Sequence, residues 1–346
     1  MSKRLLAGIL TYTLVLLLLV NTSFAASHKP VLYTASITTA YGSSSGTFVY
    51  YTPDVLRPNS SVPRLGTLKP GRLIEIVDVL PNYVEILFGK STGFVLRMRI
   101  ENVIAVNPAI TPRYGTVVSR YYTVLDAEAE VKSEPDAGSE TLITLQAGTY
   151  LGFVDISDGW ARLIFKRQYG YVNTDLFPSL HMVAPTEALA DEDTPIAVYN
   201  SFYNIAENEM NLNRIENLKV GSVRMDRVMQ PGESMDFNGS VGPFTARNGY
   251  LKAWGLFEGE LVPSSGGGSC QISSTLYNAV LPLNGLTVLA RAPHGLNGAP
   301  YLPHGVDASS GGLNFIFRND YDFPVRIVSH VQDGVLYIAI YKEMIS

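Results

Sequence analysis

Ser264-Ser265-Gly266-Gly267-Gly268-Ser269-Cys270-Gln271-Ile272-Ser273-Ser274-Thr275-Leu276-Tyr277-Asn278-Ala279 runs three glycines into the one cysteine of the chain. Ile272, Leu276, Ala279, Val280 and Leu283 then fall on one apolar stripe at helical spacing. Pro282 and Asn284-Gly285 end that helix. Ser269 stands where an N-cap belongs, which predicts Cys270 at the first helical position. A thiol there meets unpaired N–H groups and the positive end of the helix dipole, and both favour the thiolate. Glycines let backbone N–H groups approach a substrate oxygen, as an oxyanion hole requires. The competing reading is a buried cysteine acting as a small hydrophobe, which gives no reason for three glycines in front of it.

The surrounding chain has 346 residues, enough for two or three domains, and is 46% apolar and 16% charged, as a globular protein is. A net charge of -5 argues against nucleic acid as the main partner. The 20 tyrosines and 30 glycines, with many short Val/Ile/Tyr runs, favour β structure. At the N-terminus, Lys3 and Arg4, the apolar run Leu5 to Val20, and Ser23-Phe24-Ala25 read as a secretory signal over residues 1–25, with Ala26 as the new N-terminus. The alternative is an uncleaved anchor, and only then is the membrane a partner; either way the expected location is extracytoplasmic. A lone exported thiol forms no internal disulfide and is exposed to oxidation unless buried or used.

Residues 27 to about 50 read as a leader and a first strand around the turn Gly42–Gly46. An internal repeat follows: residues 66–100 align without a gap with 143–177. Thr67, Leu68, Gly71, Val77, Asp78, Phe88, Gly93 and Val95 recur as Thr144, Leu145, Gly148, Val154, Asp155, Phe165, Gly170 and Val172. Tyr83 answers to Trp160 and Phe94 to Tyr171. Short strands with tight turns suit a small barrel. Both copies resemble bacterial SH3-like domains, the second more closely through Asp158-Gly159-Trp160 and Gly170-Tyr171-Val172. The resemblance implies wall-peptide binding or a spacer role, with Trp160, Tyr169 and Tyr171 in a ligand groove; the alternative places these aromatics in barrel core and rim.

Val183 to Pro195 carries four acidic side chains and reads as a linker or a boundary. The expected organisation is therefore a signal segment (1–25), SH3-like units at 26–110 and 111–182, a linker at 183–196 and an α+β domain at 197–346, mainly β overall. In the last part, Ile215, Leu218 and Val223 suggest a helix weakened by Gly221. Residues 251–262 alternate as strands, Leu286 to Ala290 is a strand, and Leu313–Arg318 and Val325–Val331 lead through Asp333-Gly334 into Leu336–Tyr341.

Between about 198 and 342 the chain carries, in order, Asn213-Arg214-x-x-Asn217, Pro231-Gly232-Glu233-x-x-x-Phe237-Asn238-x-x-x-Gly242, Asn248-Gly249-Tyr250, Gly266-Gly267-Gly268-x-Cys270-Gln271-x-Ser273-x-Thr275-Leu276-Tyr277-Asn278, His294, and Tyr301-x-Pro303-x-Gly305-x-Asp307-Ala308. In these residues it resembles the VanW family of exported bacterial proteins. Some members are peptidoglycan L,D-transpeptidases with a cysteine nucleophile and no resemblance to the YkuD-type domain. That implies Cys270 as nucleophile and His294 as base, acting on peptidoglycan stem peptides through a thioester. Gly267, Gly268 and Gln271 then belong to an oxyanion hole, with Ser273, Arg291, Tyr301 and His304 as further site residues. Asp307 either orients a histidine or caps a turn; Arg291 either binds a peptide carboxylate or makes an ordinary ion pair. No HExxH or paired-cysteine spacing occurs, and no metal or cofactor is expected. The competing functions are a cysteine peptidase on wall peptides and a non-catalytic wall-binding adaptor.

Overall fold

Tyr83–Phe88 pairs with Ser91–Leu96, and Trp160–Phe165 with Gln168–Asn173, as two antiparallel hairpins at matching places of the repeat. The computed structural model describes residues 29–39, 46–53, 63–109, 111–112, 115–177, 179–257, 260–295 and 298–344. The segment 1–25, expected to be a secretory signal, and most of the Gly42–Gly46 turn lie outside these residues. The fold is mostly β with few helices, as composition suggests.

The repeat extends to whole sheets. Across the first, the order is Arg64–Leu68, Thr47–Tyr50, Ser91–Leu96, Tyr83–Phe88, Leu73–Val79, Tyr33–Ile37 and Ile100–Ala105. The second copy keeps this order over two sheets. One runs Thr141–Leu145, Ala129–Lys132, Gln168–Asn173, Trp160–Phe165, Asp155–Ser157; the other runs Tyr150–Phe153, Tyr121–Val124, His181–Met182. Leu73–Val79 of the first copy is thus divided in the second into Tyr150–Phe153 and Asp155–Ser157. The repeated glycines have a common physical cause. A Cβ on Gly93 would lie 2.5 Å from Val49 Cγ1, and one on Gly170 would lie 2.6 Å from Val131 Cγ1, so both strands press against side chains with no room for a methyl.

The C-terminal part is built on a sheet ordered Pro195–Phe202, Val335–Lys342, Val325–Gln332, Arg227–Met229. Asp333 and Gly334, at φ 46° and 89°, turn the hairpin between Val325–Gln332 and Val335–Lys342. Every residue of Pro195–Phe202 is buried. The reason is that this sheet is covered on both faces, the condition that gives continuous apolar runs. Leu336, Ile338 and Ile340 join the core beneath the helices, while the alternating Val335, Tyr337 and Ala339 join Leu151, Phe153 and Val172 of the second repeat. The 183–196 stretch is accordingly not a free tether: Val183, Ala184 and Ile196 are buried, and Pro195 opens a strand. Leu32–Ser346 forms one compact unit.

Helix α1 is Glu209–Met225, α2 is Phe237–Val241 and α3 is Ser269–Val280. Both longer helices lie against the C-terminal sheet and against each other. Gly221 is where they meet: a Cβ there would sit 2.3 Å from Ile272 Cδ1. Gly221 does not end α1, and Val223, expected on its apolar face, is 76% exposed while Leu218 and Met225 are buried. A hairpin, Lys252–Phe257 with Glu260–Ser265, leads directly into the glycines before α3.

If the repeat glycines are excluded-volume positions, Gly170→Ala should destabilise the protein by about 1–3 kcal/mol. Gly312→Ala, where a Cβ meets nothing within 4 Å, should stay within about 0.5 kcal/mol of wild type in the same urea titration.

Candidate active site

Helix α3 opens one residue earlier than the Ser269 cap predicts. Gly268, at φ 108°, is the N-cap, and Cys270 is the second helical residue. The positive φ needs glycine. Gly267 is required for space, since a Cβ on it would lie 2.4 Å from the Ala253 carbonyl oxygen. The Asn-Arg-x-x-Asn element of α1 anchors this turn. Asn217 donates to the carbonyls of Leu251 (3.0 Å) and Gly267 (2.9 Å) and accepts from the Leu251 N–H (2.7 Å), and Asn213 donates to the Lys252 carbonyl (2.9 Å).

The polar side chains of α3 are also buried, and they hold a second segment. Ser273 Oγ (2.6 Å) and Ser274 Oγ (2.9 Å) donate to the Ala308 carbonyl, and Ser274 Oγ accepts from the Ala308 N–H (2.9 Å). Asn278 donates to the Val306 carbonyl at 2.6 Å. Asp307 is thereby fixed between two pinned neighbours. From the other side, Arg291 Nε donates to the Asp307 carbonyl (2.7 Å), and its Nη2 reaches the Gly305 carbonyl (3.0 Å) and Asp307 Oδ1 (3.4 Å).

Strand Leu286–Ala290 delivers His294 to this carboxylate. Asp307 Oδ2 accepts from the His294 backbone N–H at 2.6 Å and lies 2.8 Å from His294 Nδ1. The imidazole also shares a hydrogen bond with the Cys270 thiol. Cys270, His294 and Asp307 therefore form a linked series of thiol, imidazole and carboxylate. Ser310, absent from the sequence expectations, completes the sulfur's surroundings: its N–H and hydroxyl stand 3.4 and 3.5 Å from Cys270 Sγ. Asn238, in the Phe-Asn element, positions that loop by donating to the Gly311 (2.9 Å) and Leu313 (2.6 Å) carbonyls.

Electrostatics follow from this geometry. Burial pushes the Cys270 thiol up, but the hydrogen bond and charge of His294, helped by Ser310, outweigh it and leave the thiol below its ordinary value. Burial alone would lower His294; its hydrogen bonds to Asp307 and Cys270 prevail and raise it to about 9. Burial would raise Asp307, and His294 with Arg291 hold it below the usual carboxylate range. The combination favours thiolate, imidazolium and carboxylate.

Other expected site residues take different places. The Gly267 N–H donates to the Ser264 carbonyl and the Gln271 N–H to that of Gly268, so neither is left for an oxyanion. Among the described residues neither the Gly268 N–H nor the Cys270 N–H donates to a partner, which leaves these two as available donors. The Gln271 side chain is buried, donating to Ser201 Oγ (2.9 Å) and accepting from Arg214 (2.7 Å). Ser273 donates to backbone carbonyls, and Arg291 donates to the Gly305 and Asp307 carbonyls and pairs with the Asp307 carboxylate. Tyr301 does lie at the site, near Cys270 and Arg214 and bonded to Ser274; burial, with the Cys270 charge, raises its phenol. His304 instead lines a cavity of about 350 Å³ with Val79, Arg97 and Val103 of the first repeat. Trp160 lies beside Asp155, Arg162 and Tyr171, and the Arg162 guanidinium covers the Tyr169 ring at 4.3 Å. Tyr169 and Tyr171 line a cavity of about 280 Å³ with Tyr83 and Arg167. Arg167, also unforeseen, reaches the Ala299 carbonyl at 3.4 Å and the field of Asp307. No cluster of metal-binding side chains occurs among the described residues, and none of their helices is long and apolar enough to cross a membrane.

Residues 213–341 match the family model described as VanW like protein. The chain is 39% identical over 139 residues to the "Uncharacterized protein YoaR" of Bacillus subtilis (strain 168), a match covering 39% of this chain and 45% of that protein. The chain thus spans less than half the length of this curated relative. Among solved structures, NlpC2 and NlpC1 from Trichomonas vaginalis overlay with a TM-score of 0.18 each, at 13% and 12% identity, covering 57% and 91% of this chain and 58% and 93% of theirs. An NlpC/P60 family protein from Bacillus cereus ATCC 10987 overlays at 0.17 and 11% identity, covering 88% of this chain and 93% of its own. Scores at that level are too low to define a shared architecture.

His294 binds its proton more tightly folded than unfolded, rising from 6.5 to about 9. Its contribution to stability is therefore complete below pH 6.5 and lost as pH rises through about 9. Urea unfolding of wild type and His294→Gln should differ most near about pH 6 and converge toward about pH 10, apart from a pH-independent packing offset.

Proposed function

We propose that the chain is an extracytoplasmic cell-wall enzyme, a cysteine-dependent L,D-transpeptidase that crosslinks peptidoglycan stem peptides. The observation that carries this reading is the Cys270–His294–Asp307 series at the head of α3, within a VanW-like domain. The Cys270 thiolate attacks a donor-peptide carbonyl, and the Cys270 N–H receives the developing oxyanion. Imidazolium His294 gives its proton to the departing amine, leaving a thioester. Neutral His294 then takes a proton from the acceptor amine as that amine attacks the thioester, and the thiolate is released. Asp307 holds the imidazole by Nδ1 and keeps the other nitrogen toward sulfur.

The N-terminal repeats are proposed as SH3-like wall-binding units, supported by their common strand order and by the Tyr83, Arg167, Tyr169 and Tyr171 cavity between them. Export is supported by Lys3, Arg4 and the apolar run Leu5 to Val20.

Purified protein incubated with disaccharide–tetrapeptide should yield dimers by mass spectrometry, and Cys270→Ala should lower their formation more than about 10³-fold. Asp307→Asn should cost about 10²- to 10⁴-fold through loss of imidazole orientation. Loss of a terminal residue without dimers, dependent on Cys270, would assign a peptidase instead. No product with retained binding to wall material would leave the adaptor. The rate should fall on the alkaline side through about pH 9 as His294 loses its proton.

A further inference from the structure

Arg214 stands beside the nucleophile with no carboxylate of its own. Its guanidinium, desolvated between α1 and the Cys270 turn, donates to Gln271 Oε1 at 2.7 Å and lies 5.8 Å from the Tyr301 ring centre. Gly268 makes room for it, since a Cβ there would come within 3.0 Å of Arg214 Cγ and 3.2 Å of Nη1. Among the described residues Arg214 joins no ion pair, unlike Arg291, Arg318 and Arg326, each of which has a carboxylate.

A desolvated cation without an anion is costly, and arginine does not relieve the cost by losing its proton. The amide oxygen of Gln271 supplies a dipole but no charge. The ionisable groups around the sulfur are His294, Arg214 and Tyr301, with Asp307, Arg291 and Arg167 behind the imidazole. Asp307 is taken by His294 and Arg291, and the Tyr301 phenol stays protonated. The remaining group able to carry a negative charge is the Cys270 thiol.

We infer that Arg214 is a positioning residue whose buried charge is the counter-ion of the Cys270 thiolate, so that the sulfur is held between two cations. This deepens the proposed reading and rests on Cys270 being the nucleophile. The glycine before Ser269 then has a second use: it admits the arginine as well as the turn. When acylation turns the thiolate into a neutral thioester, the same cation faces the negative charge that has moved to the carbonyl oxygen.

The test reads the thiolate in the full chain without any substrate. Iodoacetamide labels the single cysteine, and the alkylation rate is followed against pH by mass spectrometry. Arg214→Gln keeps a donor to Gln271 but removes the charge, Arg214→Lys keeps the charge, and His294→Ala calibrates the response of the sulfur. The midpoint is expected to rise by about one pH unit in Arg214→Gln, about tenfold less thiolate at a fixed pH below it, and to stay near wild type in Arg214→Lys. An unmoved midpoint in folded Arg214→Gln, with a clear shift in His294→Ala, overturns the inference while sparing the nucleophile. If Arg214→Gln does not fold, a midpoint in Arg214→Lys raised as far as in His294→Ala overturns it, and one within about 0.3 units of wild type supports it. A wild-type midpoint at the ordinary thiol value of about 8.5 in every variant sinks both readings together.

Discussion

The site depends on a helix with no solvent side. In α3, Gln271, Ser273, Ser274, Thr275 and Asn278 are as buried as Ile272 and Leu276. Buried polar groups must find partners or cost about 1–3 kcal/mol each. Apart from Asn278 Oδ1, these find them in the backbone of residues 306–308, in Ser201 and in Arg214. The need to satisfy the helix is thus what brings Asp307 to a defined place, and Asp307 in turn places His294 through both its backbone N–H and its ring. An apolar helix of the same shape would pack against the sheet equally well and leave the 306–310 segment unanchored.

Burial and charge oppose each other at the sulfur. Desolvation is the largest single influence on Cys270, His294, Asp307 and Arg214, and in each it disfavours the charged form. For the first three the partners win, because the groups alternate in sign within hydrogen-bond distance. A half-buried thiolate is feasible there only as a member of the group, and removing one member leaves the others as uncompensated charges.

The repeated β units are structurally continuous with this chemistry. The second copy covers the outer face of the C-terminal sheet with Leu151, Phe153 and Val172, and its Arg167 reaches the Ala299 loop near Asp307. Sheet strands covered on both sides by different parts of the chain couple the stability of the site to that of the repeats. His304, which chain order places close to Asp307, is turned instead against the first repeat.

The sequence by itself determined the repeat, its matched strands, the C-terminal hairpin and the cysteine at a helix start, because these rest on local period, turn chemistry and glycine spacing. The family resemblance also pointed to Cys270 and His294, and left Asp307 between orienting a histidine and capping a turn. Local rules erred by one residue at the cap, since Ser269 is the better capping side chain but Gly268 alone accepts φ 108° beside Arg214. Only the tertiary structure decided that Ser310 and Arg214 stand near the sulfur, that Gln271 and Ser273 serve the scaffold, and that Arg291 holds Asp307. Those assignments depend on which distant backbone carbonyls and charges meet a side chain once sheet and helices are packed, and no spacing along the chain encodes that meeting.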